Sequence, residues 1–118
     1  EMGSPLWRNF LSFKNLIDRS QLSEAKIYSN QIKNNLAKED GGRKLNIDPG
    51  YLTDSQLVLA TGKNFSHRIY IGKGIFADLT LLYRGKSYEA LPWTYPDYKG
   101  EEMLSILIKI RKKYLNHE

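Results

Sequence analysis

The stretch "HRIYIGKGIFADLTLLYRGKSYEAL", residues 67–91, decides the fold. Apolar and polar residues alternate along it with the period of two that is typical of β-strands. Two short segments that contain glycine, "GKG" at 72–74 and "RGK" at 84–86, interrupt the alternation as hairpin turns do. The stretch therefore predicts three successive antiparallel strands, at 67–71, 75–83 and 87–91.

Two more segments with a strand-like pattern lie upstream, "RKLNI" at 43–47 and "QLVLAT" at 56–61. The link that follows the second segment, "GKNFS" at 62–66, is again short and contains glycine. Five strands joined by such links predict an antiparallel meander, in which each strand pairs with its neighbours along the chain.

Two segments outside these strands have helical periodicity. Residues 20–38 place apolar side chains at spacings of three and four, Asp18 or Ser20 could cap the start, and glycines follow at 41–42. Residues 101–115 have the same spacing. The predicted class is α+β: one domain, residues 1–118, with an antiparallel meander sheet of about five strands and two main helices packed on one face.

The composition limits the class of protein. The chain has 118 residues, 41% hydrophobic and 26% charged, which is typical of a single globular domain. No apolar run approaches the length that spans a bilayer, so no membrane segment is predicted. There is no cysteine, which excludes disulfides and thiol catalysis and favours a cytoplasmic location.

The net charge is +5, and a cationic surface attracts nucleic acid or small anions. The charges are mixed along the chain, however, as in any soluble domain. The basic run 111–113 lies at the end of a predicted helix, where it suits the helix dipole. Nucleic acid is therefore an alternative partner that the charge pattern does not favour.

The meander predicts which loops meet, because successive turns lie at alternate ends of a sheet. The segments "DPGYLTDS" at 48–55, "GKG" at 72–74 and "PWTYPDY" at 92–98 should share one end. That end would gather a candidate ligand site: Asp48, Tyr51, Asp54, Lys73, Trp93, Tyr95, Asp97 and Tyr98. The alternative is that one end of any sheet collects polar loop residues.

Strand alternation places Asp78 and Thr80 on one face together with Phe76 and Leu82. The face toward the helices is uniformly apolar: Ile75, Ala77, Leu79, Leu81 and Tyr83. Asn46 and Asp48 alternate in the same way, and pairing of the strands could bring Asp48 beside Asp78. Two such carboxylates suit a divalent cation. No metal-binding spacing supports them, so no metal site is predicted.

His67 could transfer protons near neutral pH, although a lone histidine at a strand start is more often structural. Ser66 is no partner for it, because adjacent residues on a strand point to opposite faces. The three Gly-Lys pairs lack the spacing of a phosphate-binding loop.

The segment "LPWTYPDY" at 91–98 could stack a base or a sugar. Alternatively it is a rigid crossover in which Trp93 closes the core and Asp97 caps the following helix. Asp48-Pro49-Gly50 is predicted to be a turn, with Gly50 supplying a positive φ.

The segments "RKLNIDPGYL" at 43–52, "LVLATGKNFSHRIYI" at 57–71, "GIFADLTLLY" at 74–83 and "WTYPDY" at 93–98 resemble the uncharacterised prokaryotic family called domain of unknown function 4416. The resemblance covers essentially the whole chain. Asp78 stands where the family pattern has glutamate, and the acid is retained. The following residues fall on motif positions: Arg43, Asn46, Asp48, Pro49, Gly50, His67, Arg68, Asp78, Thr80, Trp93, Tyr95, Pro96, Asp97 and Tyr98.

The resemblance implies no activity. It also implies that family members carry a further N-terminal segment, with a strand, before "EMG" at 1–3. A chain without that strand would expose a sheet edge that could drive oligomerisation.

The favoured hypothesis is a cytosolic domain that binds or processes a small anionic ligand, such as a nucleotide or phosphoester. Asp48, His67 and Asp78 are the candidate catalytic residues. The candidate ligand-binding residues are Arg43, Asn46, Tyr51, Arg68, Lys73, Thr80, Trp93, Tyr95, Asp97 and Tyr98. No cofactor is assigned. The alternatives are a non-catalytic RNA- or protein-binding module and a structural subunit.

Overall fold

The computed structural model describes residues 18–39 and 47–116 as two helices and a five-stranded antiparallel sheet. The helices are α1 (Leu22–Glu39) and α2 (Glu101–Leu115). The strands are β1 (Gly50–Leu52), β2 (Gln56–Thr61), β3 (Arg68–Gly72), β4 (Ile75–Arg84) and β5 (Ser87–Ala90). The predicted α+β class and the antiparallel sheet are confirmed.

The first strand differs from the prediction. The predicted strand 43–47 lies outside the described residues except for Ile47, which is not in a strand, and β1 begins at Gly50. Gly50 does not have a positive φ, so the predicted turn is wrong. A Cβ at Gly50 would lie 2.5 Å from the carbonyl oxygen of Val58 and 2.6 Å from a methyl carbon of Leu59. Glycine is needed here for close strand approach.

The strand order is β1-β2-β4-β3, so the predicted meander is wrong at one step. β4 pairs with β2 along one edge, and the connection 62–67 carries the chain past β4 to form β3 beyond it. The opposite edge of β4 is shared, because β3 pairs with residues 75–78 and β5 pairs with residues 81–84. Leu79 and Thr80 lie between those two pairings.

An irregularity in β4 lies at this position. Leu57 pairs with Leu81 and the next residue, Val58, pairs with Leu79, so Thr80 is an extra residue in β4. Such a β-bulge shifts the alternation of side chains by one. Leu79 therefore shares a face with Val58, whereas Leu81 shares the opposite face with Leu57.

The hydrophobic core is consequently divided between the two faces. One cluster joins Leu22 of α1 to Val58, Ala60 and Ile75, and the other joins α2 to the opposite face. The members of the second cluster are Leu57, Leu81, Tyr88, Met103 and Leu107. The expectation that both helices pack on one face is therefore wrong, because the bulge moves the C-terminal half of β4 to the α2 side.

The helix ends follow the sequence closely. Asp18 accepts a 3.0 Å hydrogen bond from the backbone N–H of Ser20 at the turn before α1, as predicted, and this bond lowers the pKa of Asp18. α2 has the predicted bounds, but its N-cap residue is Gly100, and Asp97 lies in a preceding 3-10 turn, Pro96–Tyr98. Within the described residues, neither helix has the length and apolar character needed to cross a membrane.

Candidate ligand-binding pocket

The candidate site forms at the gap between β3 and β5 on the shared edge of β4. The indole Nε1–H of Trp93 donates a 2.7 Å hydrogen bond to the carbonyl of Leu79, and the hydroxyl of Thr94 donates a 2.6 Å bond to the carbonyl of Thr80. These two carbonyls belong to the bulge, where the strand ladder is interrupted. The side chains of Trp93 and Thr94 therefore hold the segment after β5 against β4 at the gap between β3 and β5.

A carboxylate joins two basic side chains beside this gap. Asp78 Oδ2 accepts a 2.9 Å bond from Arg68 Nε and lies 3.0 Å from His67 Nε2. Arg68 stands directly opposite Asp78 in the β3–β4 register. The exposed fractions of the three side chains are only 10–13%, so solvent screens this triad weakly.

Further hydrogen bonds fix the position of the triad. The hydroxyl of Thr80 donates to the main-chain carbonyl of Asp78 at 3.1 Å, and Arg68 Nη1 donates to the carbonyl of Lys63 at 3.1 Å. With Asp78 accepting from His67 Nε2, the acceptor position on the neutral imidazole is Nδ1. The triad therefore has the form of a proton-transfer group oriented by a carboxylate.

Aromatic rings enclose the imidazole. The ring of His67 stacks on the indole of Trp93 with 4.6 Å between centroids and 15° between planes. The edge-on ring of Phe65 lies 5.5 Å from the imidazole centroid. His67 thus contacts two aromatic rings, and its side chain is only 10% exposed to solvent.

An open pocket of about 310 Å³ lies over this arrangement. Its lining residues are Lys63, Asn64, Phe65, His67, Arg68, Trp93 and Tyr95. The rings of Phe65 and Tyr95 are exposed by 63% and 62%, so both present apolar surface to the solvent. A site that combines exposed rings with the exposed lysine Lys63 suits a ligand with a planar part and a negative charge.

The structure brings together a subset of the residues proposed from sequence: His67, Arg68, Asp78, Thr80, Trp93 and Tyr95. Lys63, Asn64 and Phe65 were missed, since "GKNFS" was interpreted only as a hairpin turn. Their one sequence signal is a basic residue, Lys63, and an aromatic residue, Phe65, within the four residues before His67.

Other proposed residues lie elsewhere. Asp48 is 3.6 Å from Lys26 of α1, on the far side of the sheet from Asp78, so the two carboxylates do not meet as the sequence allowed. Lys73 forms a 2.9 Å bond with Glu24 of α1, which lowers the pKa of Glu24. Tyr51 packs against the α1-side cluster.

The predicted grouping of three loops at one end is thus wrong, because it assumed the meander order. Asp97 and Tyr98 lie in the 3-10 turn before α2, and Tyr98 packs against the α2-side cluster. Arg43 and Asn46 lie outside the described residues. In the part of the chain that the structure describes, no three His, Asp or Glu residues are grouped as a metal site.

Comparison with known protein families shows which family the chain belongs to. The family described as Domain of unknown function (DUF4416) matches residues 1–114. The chain belongs to this family. No curated protein and no solved structure matches it. The expected DUF4416 segment before residue 1 gains no support from this match.

Proposed function

We propose that this DUF4416 chain is a cytosolic domain that binds a small anionic ligand, of the nucleotide or phosphoester type, in the pocket above His67. The observation that carries the proposal is the triad of His67, Asp78 and Arg68 beneath a pocket with exposed aromatic rings. The cytosolic setting rests on the absence of cysteine from the chain.

The ligand's charge follows from the cations of the pocket. Lys63 is exposed at the pocket and brings a mobile ammonium group, which suits a phosphate as a point charge. Arg68 is held in a fixed orientation by Asp78 and by the carbonyl of Lys63. The Lys63 ammonium can therefore bind an anion at the pocket mouth, above the ion pair of Arg68 and Asp78.

The ligand's shape follows from the rings. Phe65 and Tyr95 present exposed aromatic surface, and a planar group that stacks on them would bury apolar area without requiring a specific hydrogen-bond pattern. A nucleobase or another planar ring joined to a phosphate combines both properties.

If the ligand is also processed, His67 is the group that would transfer the proton. Nδ1 would accept or donate it, while Asp78 would hold the imidazole through Nε2. Binding alone does not require this step, so the proposal separates binding by the pocket from proton transfer by His67.

A structural role is the second candidate. The bonds of Asp78 and Trp93 also connect the start of β3, the bulge of β4 and the segment after β5, so they could serve only to hold these segments together. In a purely structural role, these polar bonds contribute to the stability of the fold and to nothing else. This role predicts that no small anion binds at the pocket.

A thermal-shift screen tests the proposal and separates the candidates. The screen contains inorganic phosphate, nucleoside monophosphates, sugar phosphates and a short single-stranded RNA, each with wild type, Lys63→Gln and Lys109→Gln. Lys109 is an exposed lysine of α2 and serves as the matched control. A small phosphoester should raise the melting temperature of wild type and Lys109→Gln by more than that of Lys63→Gln.

Two other results would reject the proposal. A shift produced only by RNA would favour a nucleic-acid-binding module. No shift with any compound would favour the structural role.

A further inference from the structure

The link between β2 and β3, residues 62–67, forms one wall of the pocket. Lys63, Asn64 and Phe65 of this link all line the pocket. Residues 62–66 are all exposed, and among the described residues neither core cluster includes a residue of the link. Burial therefore does little to hold the three lining residues in place, and their position depends on the hydrogen bonds that the link makes.

Arg68 contacts this wall at two points. Its guanidinium Nη1 donates a 3.1 Å hydrogen bond to the carbonyl of Lys63, and its main-chain N–H donates a 3.0 Å bond to the carbonyl of Phe65. The two acceptors lie on either side of Asn64. Arg68 thus holds the middle of the link, once through its side chain and once through its backbone.

Asp78 fixes the orientation of Arg68. The carboxylate Oδ2 accepts a 2.9 Å bond from Arg68 Nε, and Nη1 of the same guanidinium reaches the carbonyl of Lys63. Because Nε and Nη1 belong to one planar group, fixing the first donor also orients the second. The ion pair is largely buried, so solvent weakens it little. The rigid sheet thereby determines where the link lies.

The backbone of Lys63 is held from both sides. Its N–H donates a 3.2 Å hydrogen bond to Oγ1 of Thr61, the last residue of β2, and its carbonyl accepts the bond from Arg68. The residue itself remains exposed to solvent. A binding residue whose backbone is fixed before the ligand arrives loses less conformational freedom on binding, which increases affinity.

Arg68 itself is poorly suited to contact an anion. Two of its three guanidinium nitrogens, Nε and Nη1, already donate to Asp78 and to the carbonyl of Lys63. Its positive charge is compensated by Asp78 at 2.9 Å, and its side chain is largely buried. The exposed ammonium group of Lys63 has neither restriction and is the better partner for the ligand.

We propose that Arg68 is a positioning residue for the ligand, which acts through the backbone of Lys63 and does not contact the anion. This inference rests on the proposed function, in which Lys63 binds the anion. Asp78 then contributes to ligand affinity because it orients Arg68, although a carboxylate would repel the anion if the two were in contact. The polar cluster below the pocket therefore serves ligand recognition indirectly.

Three variants separate position from charge. Arg68→Lys keeps a positive charge for Asp78 but replaces two separate donors with one ammonium group, so the bond to the Lys63 carbonyl is lost. Thr61→Val removes the bond on the other side of Lys63 without changing the charge, and it decides the test if Arg68→Lys does not fold. Thr61→Ser is the conservative variant, because it retains the hydroxyl.

Backbone order, measured by NMR relaxation on the protein without ligand, is the first readout. Residues 63–65 of wild type should have order parameters of about 0.85, like those of a strand. Arg68→Lys and Thr61→Val should lower these values toward about 0.6, and Thr61→Ser should retain them. The Gly85-Lys86 turn lies outside the pocket and is the internal reference, which should stay unchanged.

Calorimetric titration with adenosine monophosphate is the second readout. Affinity should fall about five- to tenfold in Arg68→Lys and about two- to threefold in Thr61→Val, and Thr61→Ser should retain it. In a chain that already carries Lys63→Gln, Arg68→Lys should cause no further loss, because Arg68 acts through Lys63. Direct contact of Arg68 with the anion would instead give the same loss in both backgrounds.

The results that would overturn the inference differ from those that would reject the proposed function. Unchanged order parameters or unchanged affinity in both Arg68→Lys and Thr61→Val would overturn the positioning role, as would an equal loss in the Lys63→Gln background. If wild type does not bind adenosine monophosphate at all, the proposed function fails, and the positioning role fails with it whatever the order of the link.

Discussion

The imidazole of His67 lies parallel to the indole of Trp93, with 4.6 Å between the ring centroids. His67 immediately precedes β3 and Trp93 follows β5, and these two strands share one edge of β4. Trp93 also donates to the carbonyl of Leu79 in the bulge, and His67 contacts Asp78. This stack therefore links the irregular backbone of β4 to the triad beneath the pocket.

Replacement of Trp93 by phenylalanine should destabilise the fold. The variant retains a ring for His67 but leaves the carbonyl of Leu79 without its 2.7 Å donor, at a cost of about 1–2 kcal/mol in the free energy of unfolding. Urea denaturation measures the change. Tyr95→Phe is the control: Tyr95 is 62% exposed, so the expected change is within about 0.5 kcal/mol. Equal stability of the two variants would show that the indole bond contributes nothing.

Replacement of Asp78 by asparagine should disrupt the triad. The amide has the shape of the carboxylate but loses its charge, so the bonds to His67 and Arg68 weaken, with an expected destabilisation of about 1–3 kcal/mol. Asp54→Asn, at an exposed aspartate, should change stability little. A double-mutant cycle with Arg68→Gln should give a coupling free energy of about 1 kcal/mol. Additive effects of the two substitutions would contradict the geometry described for the triad.

Replacement of Gly50 by alanine should be costly for a steric reason. The new Cβ would lie 2.5 Å from the carbonyl oxygen of Val58, so β1 and β2 must separate, at an expected cost of about 1–3 kcal/mol. Gly62→Ala is a matched control, because a Cβ there meets no atom within 4 Å and the φ of Gly62 is not positive. Thermal unfolding should show a lower melting temperature for Gly50→Ala alone. A similar effect at both glycines would contradict the close approach of the strands.

Tyr88 should make stability depend on pH under alkaline conditions. Burial raises the pKa of Tyr88 to about 12 from its ordinary value of 10.0. Below pH 10 the phenol is neutral in both states, and between pH 10 and 12 the unfolded chain ionises first, so the folded state loses about 2 kcal/mol over this range. Relative to Tyr88→Phe, wild type should therefore lose about 2 kcal/mol of unfolding free energy between pH 10 and pH 12. A difference between the two proteins that stays constant over this range would contradict the prediction.

The same substitution has an effect at neutral pH. The Tyr88 hydroxyl is buried without a hydrogen-bond partner within the described part of the chain, so its removal should be neutral or stabilising by up to about 1 kcal/mol. The ring would retain its edge-on contact with Tyr83, at 5.0 Å between centroids. Urea denaturation at pH 7 measures the change. A clear loss of stability would indicate that the hydroxyl has a partner.

The local elements were predictable because their signals are local. β2 and α2 have the predicted bounds, β4 and β5 each differ by one residue at one end, and β3 begins and ends one residue later than predicted. These bounds were predictable because alternation, turn glycines and helix periodicity are properties of the local sequence. The bulge at Thr80 was not predictable. Apolar residues continue at every second position from Ile75 to Tyr83, so the pattern resembles an uninterrupted strand although its two halves face different helices.

The strand order depends on the path of the link 62–67, and the sequence does not indicate which path the link takes. A six-residue link can form a hairpin or pass beyond the next strand, and here it passes beyond β4 to place His67 and Arg68 beside Asp78. The sequence suggested these residues by type, and the register of β3 against β4 brought them together. The positions of Asp48 and Lys73 were predicted wrongly. Each forms an ion pair with a residue of α1, and the packing of α1 against the sheet cannot be inferred from the local sequence.

Calorimetric titration measures whether the pocket binds a small anion through Lys63. Adenosine monophosphate, with inorganic phosphate as the comparison, is titrated into wild type, Lys63→Gln and Lys109→Gln at low ionic strength. We expect saturable one-to-one binding to wild type and Lys109→Gln, and affinity about tenfold weaker for Lys63→Gln, because one charged contact is lost. The absence of saturable binding of either compound to wild type, or equal affinity for all three proteins, would contradict it.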